Sequence, residues 1–489
     1  MMPFQFVNNS IIDKQARKLI RSHVMKGKNV GKTRIPKRKY PKLTAKELAP
    51  TTGSQGNAND NNKPLALALP LSQSNDSIVA LTRRVGNDSD LLYFPSSLTP
   101  QSMFQLNQLF FYFLDVICPP EFCTPTAVSG WIWFQLIFRD EAYFHCTIAV
   151  SSACAAFLTA EAEQSPIALY HLSKTFRLIN KKLSSDEALS DSTIAVVTAI
   201  TIYDRLYGNP QKAMIHLNGA SRMIDLRGGI SALAKRNFVI AEKTFRADLE
   251  LAFHCGSKPK FCAQDVPRHL LLIDPSGPRQ NKGTEPILYQ SVCVKLRDVI
   301  VDTLELSHIL QEQENRTPKL DMLAFQSTII NLGYQLIEID LTHHSSDVSI
   351  SIDNLVHLAL ISFLITLWVG IGRKLISFPF VAESFRLAAR TIRKEGQFRP
   401  GILLWVLFMG KLAVFTQDDD LWLIPTMKKL TAELELRTWH EAKQVLHQFP
   451  WVKTLHNREG KIFWNYALAQ SHYLEPAAAA FDFTKSSLL

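Results

Sequence analysis

Four groups of residues carry side chains whose types could do chemistry. Asp418-Asp419-Asp420 places three carboxylates in a row, hard oxygen ligands of the kind magnesium takes. Two residues past the run stands Trp422 instead of another acid, and no partner acidic cluster follows, so the expectation is an exposed acidic turn capping a helix. His254, Cys255, Cys262 and His269 offer soft ligands within one short stretch, but their spacing matches no common zinc module. Cys146 and Cys154 lie eight apart on a helix with a run of small residues, Ala149 to Ala156, and read as buried thiols that let helices approach closely. His343-His344 sits among serines and aspartates and reads as a solvated loop. No phosphate-binding loop, dinucleotide fingerprint, His-Glu-x-x-His or Gly-x-Ser-x-Gly occurs in the sequence. The expectation is therefore no catalytic residue, no resident cofactor and no metal.

One group remains, and its chemistry is charge. Residues 1 to 46 hold thirteen lysines and arginines against Asp13 alone, a net of +12. The other 443 residues carry 41 bases and 43 acids, so the whole excess behind the formal +10 sits in the first tenth of the chain. Cations so dense repel one another unless an anion compensates them, which points to a polyanion or an acidic receptor groove. Lys37-Arg38-Lys39 follows Pro36 and is flanked by Lys26, Lys28, Lys32, Arg34 and Lys42. That arrangement has the form of a nuclear import signal, whose partner is an import receptor and whose address is the nucleus. The same side chains suit DNA phosphates, a mostly sequence-blind contact. Only Tyr40 interrupts the run, which argues against a stacking platform for single strands.

The arm is attached to elements of different character. Asn9-Ser10 and Asp13 approximate a capping box, and Ile12, Ala16, Leu19 and His23 share one face of a basic amphipathic helix over Ile11 to Lys26. Residues 47 to 90 form a polar, Asn-, Gly- and Ser-rich linker whose composition cannot repay the entropy of ordering. From 91 to 470 helical periodicity dominates, followed by a flexible tail over 471 to 489. Pro166 starts a helix in which Leu169, Leu172, Phe176, Ile179 and Leu183 make one apolar stripe. Asp191-Ser192 caps a central helix reaching Tyr207. The next runs from Gln211 to Arg227 with Ala213, Leu217, Ala220 and Ile224 inward, and Gly228 closes it. Further helices are expected from about 292 to 310, 321 to 340, 353 to 371, 380 to 395, 401 to 416 and 420 to 436. Only Val348 to Ile352 alternates like a strand. The fold class is all-α: one large irregular multi-helix domain behind a basic helix and a disordered linker. Leu355 to Gly372 and Gly401 to Phe415 are the most apolar runs. His357, Ser362 and Thr366 interrupt the first and Lys411 the second, so both are expected in the core and not in a membrane. An odd, sparse cysteine set without a signal-peptide pattern fits a reducing compartment.

The stretch from Tyr170 to Ile230 resembles the fungal-specific transcription factor domain. The matching pieces are Leu189-Ser190-Asp191-Ser192-Thr193-Ile194-Ala195-Val196-Val197, then His216-Leu217-Asn218-Gly219-Ala220, then Met223 through Ile230 with its Arg227-Gly228-Gly229. Asp248-Leu249, Leu403 to Phe408, Trp439 and Trp451 are similar too, as are Phe6-Val7-Asn8 and Ile20 to Met25 at the start. The resemblance implies an all-helical regulatory domain, a nuclear location and transcriptional control, often of a secondary-metabolite gene cluster. Members that read DNA usually do so through six clustered cysteines near the N-terminus. No cysteine precedes Cys118 in this sequence, so the resemblance is to a subgroup without the zinc cluster, for which another transcription factor is an expected partner. Two other readings stand beside it: an all-α metal-dependent enzyme resting on Asp418 to Asp420 and Cys255/Cys262, and a peripheral membrane protein held by the basic helix.

Overall fold

The computed structural model describes Pro95 and residues 99–108, 119, 121–124, 135–158, 165–273, 287–314, 316–339, 347–369, 377–392 and 399–469. The basic arm with all its import candidates, the linker, Cys118, His343-His344 and the C-terminal tail lie outside them. Among the described residues sixteen α-helices are traced: α1 Pro100–Gln108, α2 Glu141–Leu158, α3 Pro166–Leu183, α4 Asp191–Leu206, α5 Pro210–Leu226, α6 Ile230–Arg236, α7 Phe238–Cys255 and the one-turn α8 Ile287–Gln290. They continue with α9 Val294–Gln313, α10 Met322–Glu338, α11 Asp347–Val369, α12 Pro379–Ile392, α13 Pro400–Ala413, α14 Asp420–Glu433, α15 Trp439–Leu446 and α16 Lys453–Ala469. The all-α reading holds. Among the described residues the exception is a two-residue parallel pair that periodicity did not reveal, β1 Cys123–Thr124 beside β2 Leu320–Asp321.

Most helices form where the apolar spacing places them, and the middle of the chain shows why. Ser190, not Asp191, caps α4 by accepting from the Thr193 amide at 3.2 Å. Behind that cap Thr193 to Thr198 are buried without a break, so α4 is central. α5 buries Ala213, Leu217, Ala220, Met223 and Ile224 against it, as its spacing requires. α7 packs on α4, α5, α10 and α12, which makes it the second axis of the body. Thr198 and Thr244 join α4 to α7 through their hydroxyls at 3.2 Å. Gly333 lets α10 approach α7: a Cβ there would stand 2.4 Å from Leu249 Cδ2.

Two expectations fail for physical reasons. Val348 to Ile352 belongs to α11, because five alternating residues joined to a long apolar run extend its helix instead of forming a strand. In α3 the inward face is Ala168, His171, Thr175 and Ile179, while Leu169, Phe176 and Leu183 of the expected stripe are exposed. The choice is made by α2, whose surface here is small: Ala149 and Ala153 cluster with Ala168 and Tyr203, and small side chains admit a close helix where leucines would not fit. The two most apolar runs are α11 and α13, both buried in the core as expected. Among the described residues no helix is long and apolar enough to cross a membrane.

Candidate functional site

The residues singled out for metal chemistry are not brought together. His254 Nδ1 meets the Ser377 carbonyl at 2.9 Å, Cys262 Sγ lies 3.2 Å from Asp265 Oδ2, and Cys255 and His269 are exposed. No group of three or more metal-competent side chains exists among the described residues. Cys146 and Cys154 are buried, and burial raises both thiols, Cys146 to about 12, which leaves them protonated and unreactive.

Asp418 to Asp420 requires a correction. Asp418 is exposed, but Asp419 and Asp420 are buried and each is held by a cation. Asp419 accepts from Arg386 Nε at 2.7 Å and Nη2 at 3.0 Å, from the Thr416 amide at 2.8 Å and from Trp422 Nε1 at 3.2 Å. Burial opposes its ionisation, but these donors outweigh it and bring the carboxyl down to about 2. Asp420 pairs with Lys411. The run is a clasp between α12, α13 and α14. That leaves Asp418 as the exposed carboxylate of the three, with no second free one beside it in the run.

The two signature pieces around Asp191 and Arg227 do meet. Gly228 and Gly229 both adopt positive φ, 97° and 89°, and the Gly229 amide returns to the Ile224 carbonyl at 3.0 Å, ending α5 sharply. The turn aims Arg227 at the first residue of α4, where its guanidinium pairs with Asp191, and Asn237 Nδ2 donates to the other Asp191 oxygen at 3.3 Å. Acidic charge at a helix start also suits the α4 dipole. Glycine capping was legible in the sequence. The ion pair across 36 residues was not.

Deeper in the same region lie polar groups that no local pattern signals. Arg205 and Arg246 share the carboxylate of Glu250, Arg246 Nε at 2.9 Å, and Phe378 and Trp368 present ring faces to their guanidinium groups at 5.1 and 5.7 Å. Burial opposes the charge on Glu250, yet the two arginines keep its pKa below the ordinary value. Asp248 accepts from the Lys260 and Phe261 amides at 2.9 and 3.1 Å and from the Tyr334 hydroxyl at 2.9 Å, which fixes the loop after α7. Between α1, α2 and α3 runs a chain of contacts. Ser102 Oγ lies 3.0 Å from His171 Nε2, and His171 Nδ1 lies 2.7 Å from His145 Nδ1. Burial, helped by nearby Lys174, brings both histidines down to about 4, so both are neutral at pH 7 and share one Nδ1 proton. Ser102, His145 and His171 are nearly sealed from solvent, so this hydroxyl–imidazole chain joins helices and presents no atom to a substrate.

Fold and polar groups together define an all-helical body whose buried charges lock helix to helix. Residues 108–392 match the family model described as the fungal specific transcription factor domain. That span is more than half of the chain, and the protein belongs to this family. No curated protein and no solved structure matches it. Family membership makes a transcriptional regulator the class of protein to which the helical body belongs.

Proposed function

We infer that this chain is a non-enzymatic nuclear regulator of transcription, acting on a metabolic gene cluster of the secondary kind. Its basic arm serves import and weak phosphate contact, and its helical body engages a partner. The observation that carries the reading is the charge split, +12 in residues 1 to 46 against −2 in the remainder, on a chain whose body belongs to a transcription factor family. In this reading sequence-specific base readout falls to another transcription factor, while Lys26, Lys28, Lys32, Arg34, Lys37, Arg38, Lys39 and Lys42 supply charge. Deleting residues 26 to 42 should abolish nuclear accumulation of a tagged chain; unchanged accumulation removes the import role. Affinity for duplex DNA should fall with salt at about 0.9 log units per phosphate neutralised, a slope near −5 for five or six contacts. A flat salt response removes the phosphate role. Stoichiometric zinc or magnesium-dependent turnover in the purified chain would favour an enzyme instead.

A further inference from the structure

Arg205 is a buried group whose hydrogen bonding the fold leaves unfinished. It stands in the last turn of α4, 7% exposed, and its Nη1 is taken by Glu250. Its Nε and Nη2 are sealed from solvent and meet no acceptor. Among the described residues no other side chain leaves two buried polar atoms without a partner. Those two nitrogens form one edge of the guanidinium, a fork of parallel N–H donors spaced for the two oxygens of a carboxylate. Leaving a buried donor empty costs about 1–3 kcal/mol, more when it is charged.

The charges around it point the same way. Arg205 and Arg246 face one carboxylate, Glu250. Glu242 and Lys243 interact with Arg246, and burial pushes both toward their neutral forms, so the pair adds no net charge. One positive charge is left over where solvent hardly reaches, and a buried charge is ordinarily paired. The walls are apolar. Phe378 presents its face to the Arg205 guanidinium at 5.1 Å, and Phe253 packs edge-on against Phe378 at 6.4 Å and Trp368 at 6.1 Å. Trp368 is fully buried, and its indole Nε1 also finds no acceptor among the described residues. A water would fill one donor of this set but cannot cancel the charge. We propose that Arg205 binds the carboxylate of a small organic acid, held bidentately by Nε and Nη2, with the acid's apolar body against Phe253 and Phe378. A single surplus charge suits a monoanion better than a phosphate dianion, and the ring walls favour an aromatic or alkyl body over a sugar. The nearest surface is the corner where α7 ends. Cys255, within electrostatic reach of Arg205, and Gly256 are exposed there. The Phe380 ring closes on Gly256 so tightly that a Cβ at that position would stand 2.3 Å from Phe380 Cε2. The acid enters where Phe378 and Phe380, at the start of α12, part from that corner.

This inference goes beyond the regulatory reading and does not rest on it, since it concerns the body alone. The test is isothermal titration of the full chain with benzoate, phenylacetate and octanoate. The controls are the amide of each acid, acetate and inorganic phosphate. At least one of the three acids should bind saturably, at least about tenfold more tightly than its amide, acetate or phosphate, a difference of about 1.4 kcal/mol. The same acid should raise Tm by mass action. Arg205→Lys keeps the charge and loses the fork, so it should weaken that acid at least about tenfold, and its Tm without ligand reports whether it has folded. Should that variant not fold, the comparison of acid with amide on the unaltered chain decides. Phe378→Leu, which leaves every charge in place, should weaken the aromatic acids more than octanoate. No saturable binding, an amide that binds as well as its acid, or a folded Arg205→Lys that binds as well as the unaltered chain overturns the proposal. Phosphate or acetate binding as tightly as the larger acids means an adventitious ion only, and overturns it too.

Discussion

The span matched by the family and the helices beyond it solve the same packing problem with different materials. Within 108–392 the helices are joined by buried polar groups: Arg205 and Arg246 on Glu250, Asp248 on the loop after α7, His145 on His171. From Pro400 to Ala469 large rings fill most of the core, and the buried pairs of Asp419 with Arg386 and Asp420 with Lys411 fasten its edge. Phe408 packs at 5.2 to 6.0 Å on Trp439, Trp451 and Phe463, Trp405 stacks on Phe449 at 5.6 Å, and the Trp405 indole donates to the Pro450 carbonyl at 3.0 Å. Aromatic burial is tolerant of angle, whereas a buried charge or hydrogen bond accepts few geometries. The first region thus holds a particular helix arrangement, including the exposed α3 stripe, and the second supplies bulk stability through one shared core.

Substitutions that separate the two materials test this contrast. Glu250→Ala leaves the buried Arg205 and the partly buried Arg246 without their carboxylate and should cost about 3–5 kcal/mol, read as a lower urea midpoint. Glu250→Gln, which keeps shape and removes charge, should recover little of it. Phe408→Ala should cost a similar amount, about 3–5 kcal/mol, from the cavity it opens. A small effect in either place removes that region's part of the contrast. Next in size is Gly333→Ala, where the added methyl drives Leu249 aside. Overpacking of this kind costs about 1–3 kcal/mol, and a neutral result would show that α7 and α10 can separate freely.

Acid should act on both regions through neutral buried histidines. His145 and His171 are lowered to about 4 and His456, whose Nδ1 accepts from the Val452 amide at 2.9 Å, to about 3 by burial. Their unfolded values lie near 6.5, so between about pH 6.5 and 4 the unfolded chain binds more protons than the folded one. Stability is therefore lost as pH falls through that window, by at most about 1.4 kcal/mol per pH unit for each histidine. His171→Gln should flatten the profile of urea midpoint against pH, and an unchanged slope would show that the pair does not titrate as described. The smallest effect belongs to the pair that joins the signature pieces. Asp191→Ala exposes no core and breaks a half-buried ion pair, so a loss of about 1 kcal/mol is expected in thermal unfolding, largely without change in the aromatic core.

Much of the architecture was legible because α5 and α9 carry apolar residues at a spacing that one inward face satisfies, whereas α4 and α10, buried nearly all round, had to be central. The α3 face was not, since periodicity reports which side is greasy while the neighbouring helix decides which side fits. Ala149 and Ala153 on α2 selected Ala168, and Leu169, Phe176 and Leu183 were left outside. The polar clasps were hidden for a related reason. Asp419 finds Arg386 at a separation of 33 residues and Asp191 finds Arg227 at 36, distances over which no local pattern survives. An acidic run reads as solvated until the partner is in place. The basic arm was conspicuous in composition alone, and an experiment on the whole chain tests its function.

That experiment is genome-wide chromatin occupancy of the tagged chain, with and without residues 26 to 42. The prediction is enrichment at discrete loci for the full chain and loss of that enrichment when the arm is removed. Background occupancy by a full-length protein that is present in the nucleus would contradict a role in transcription.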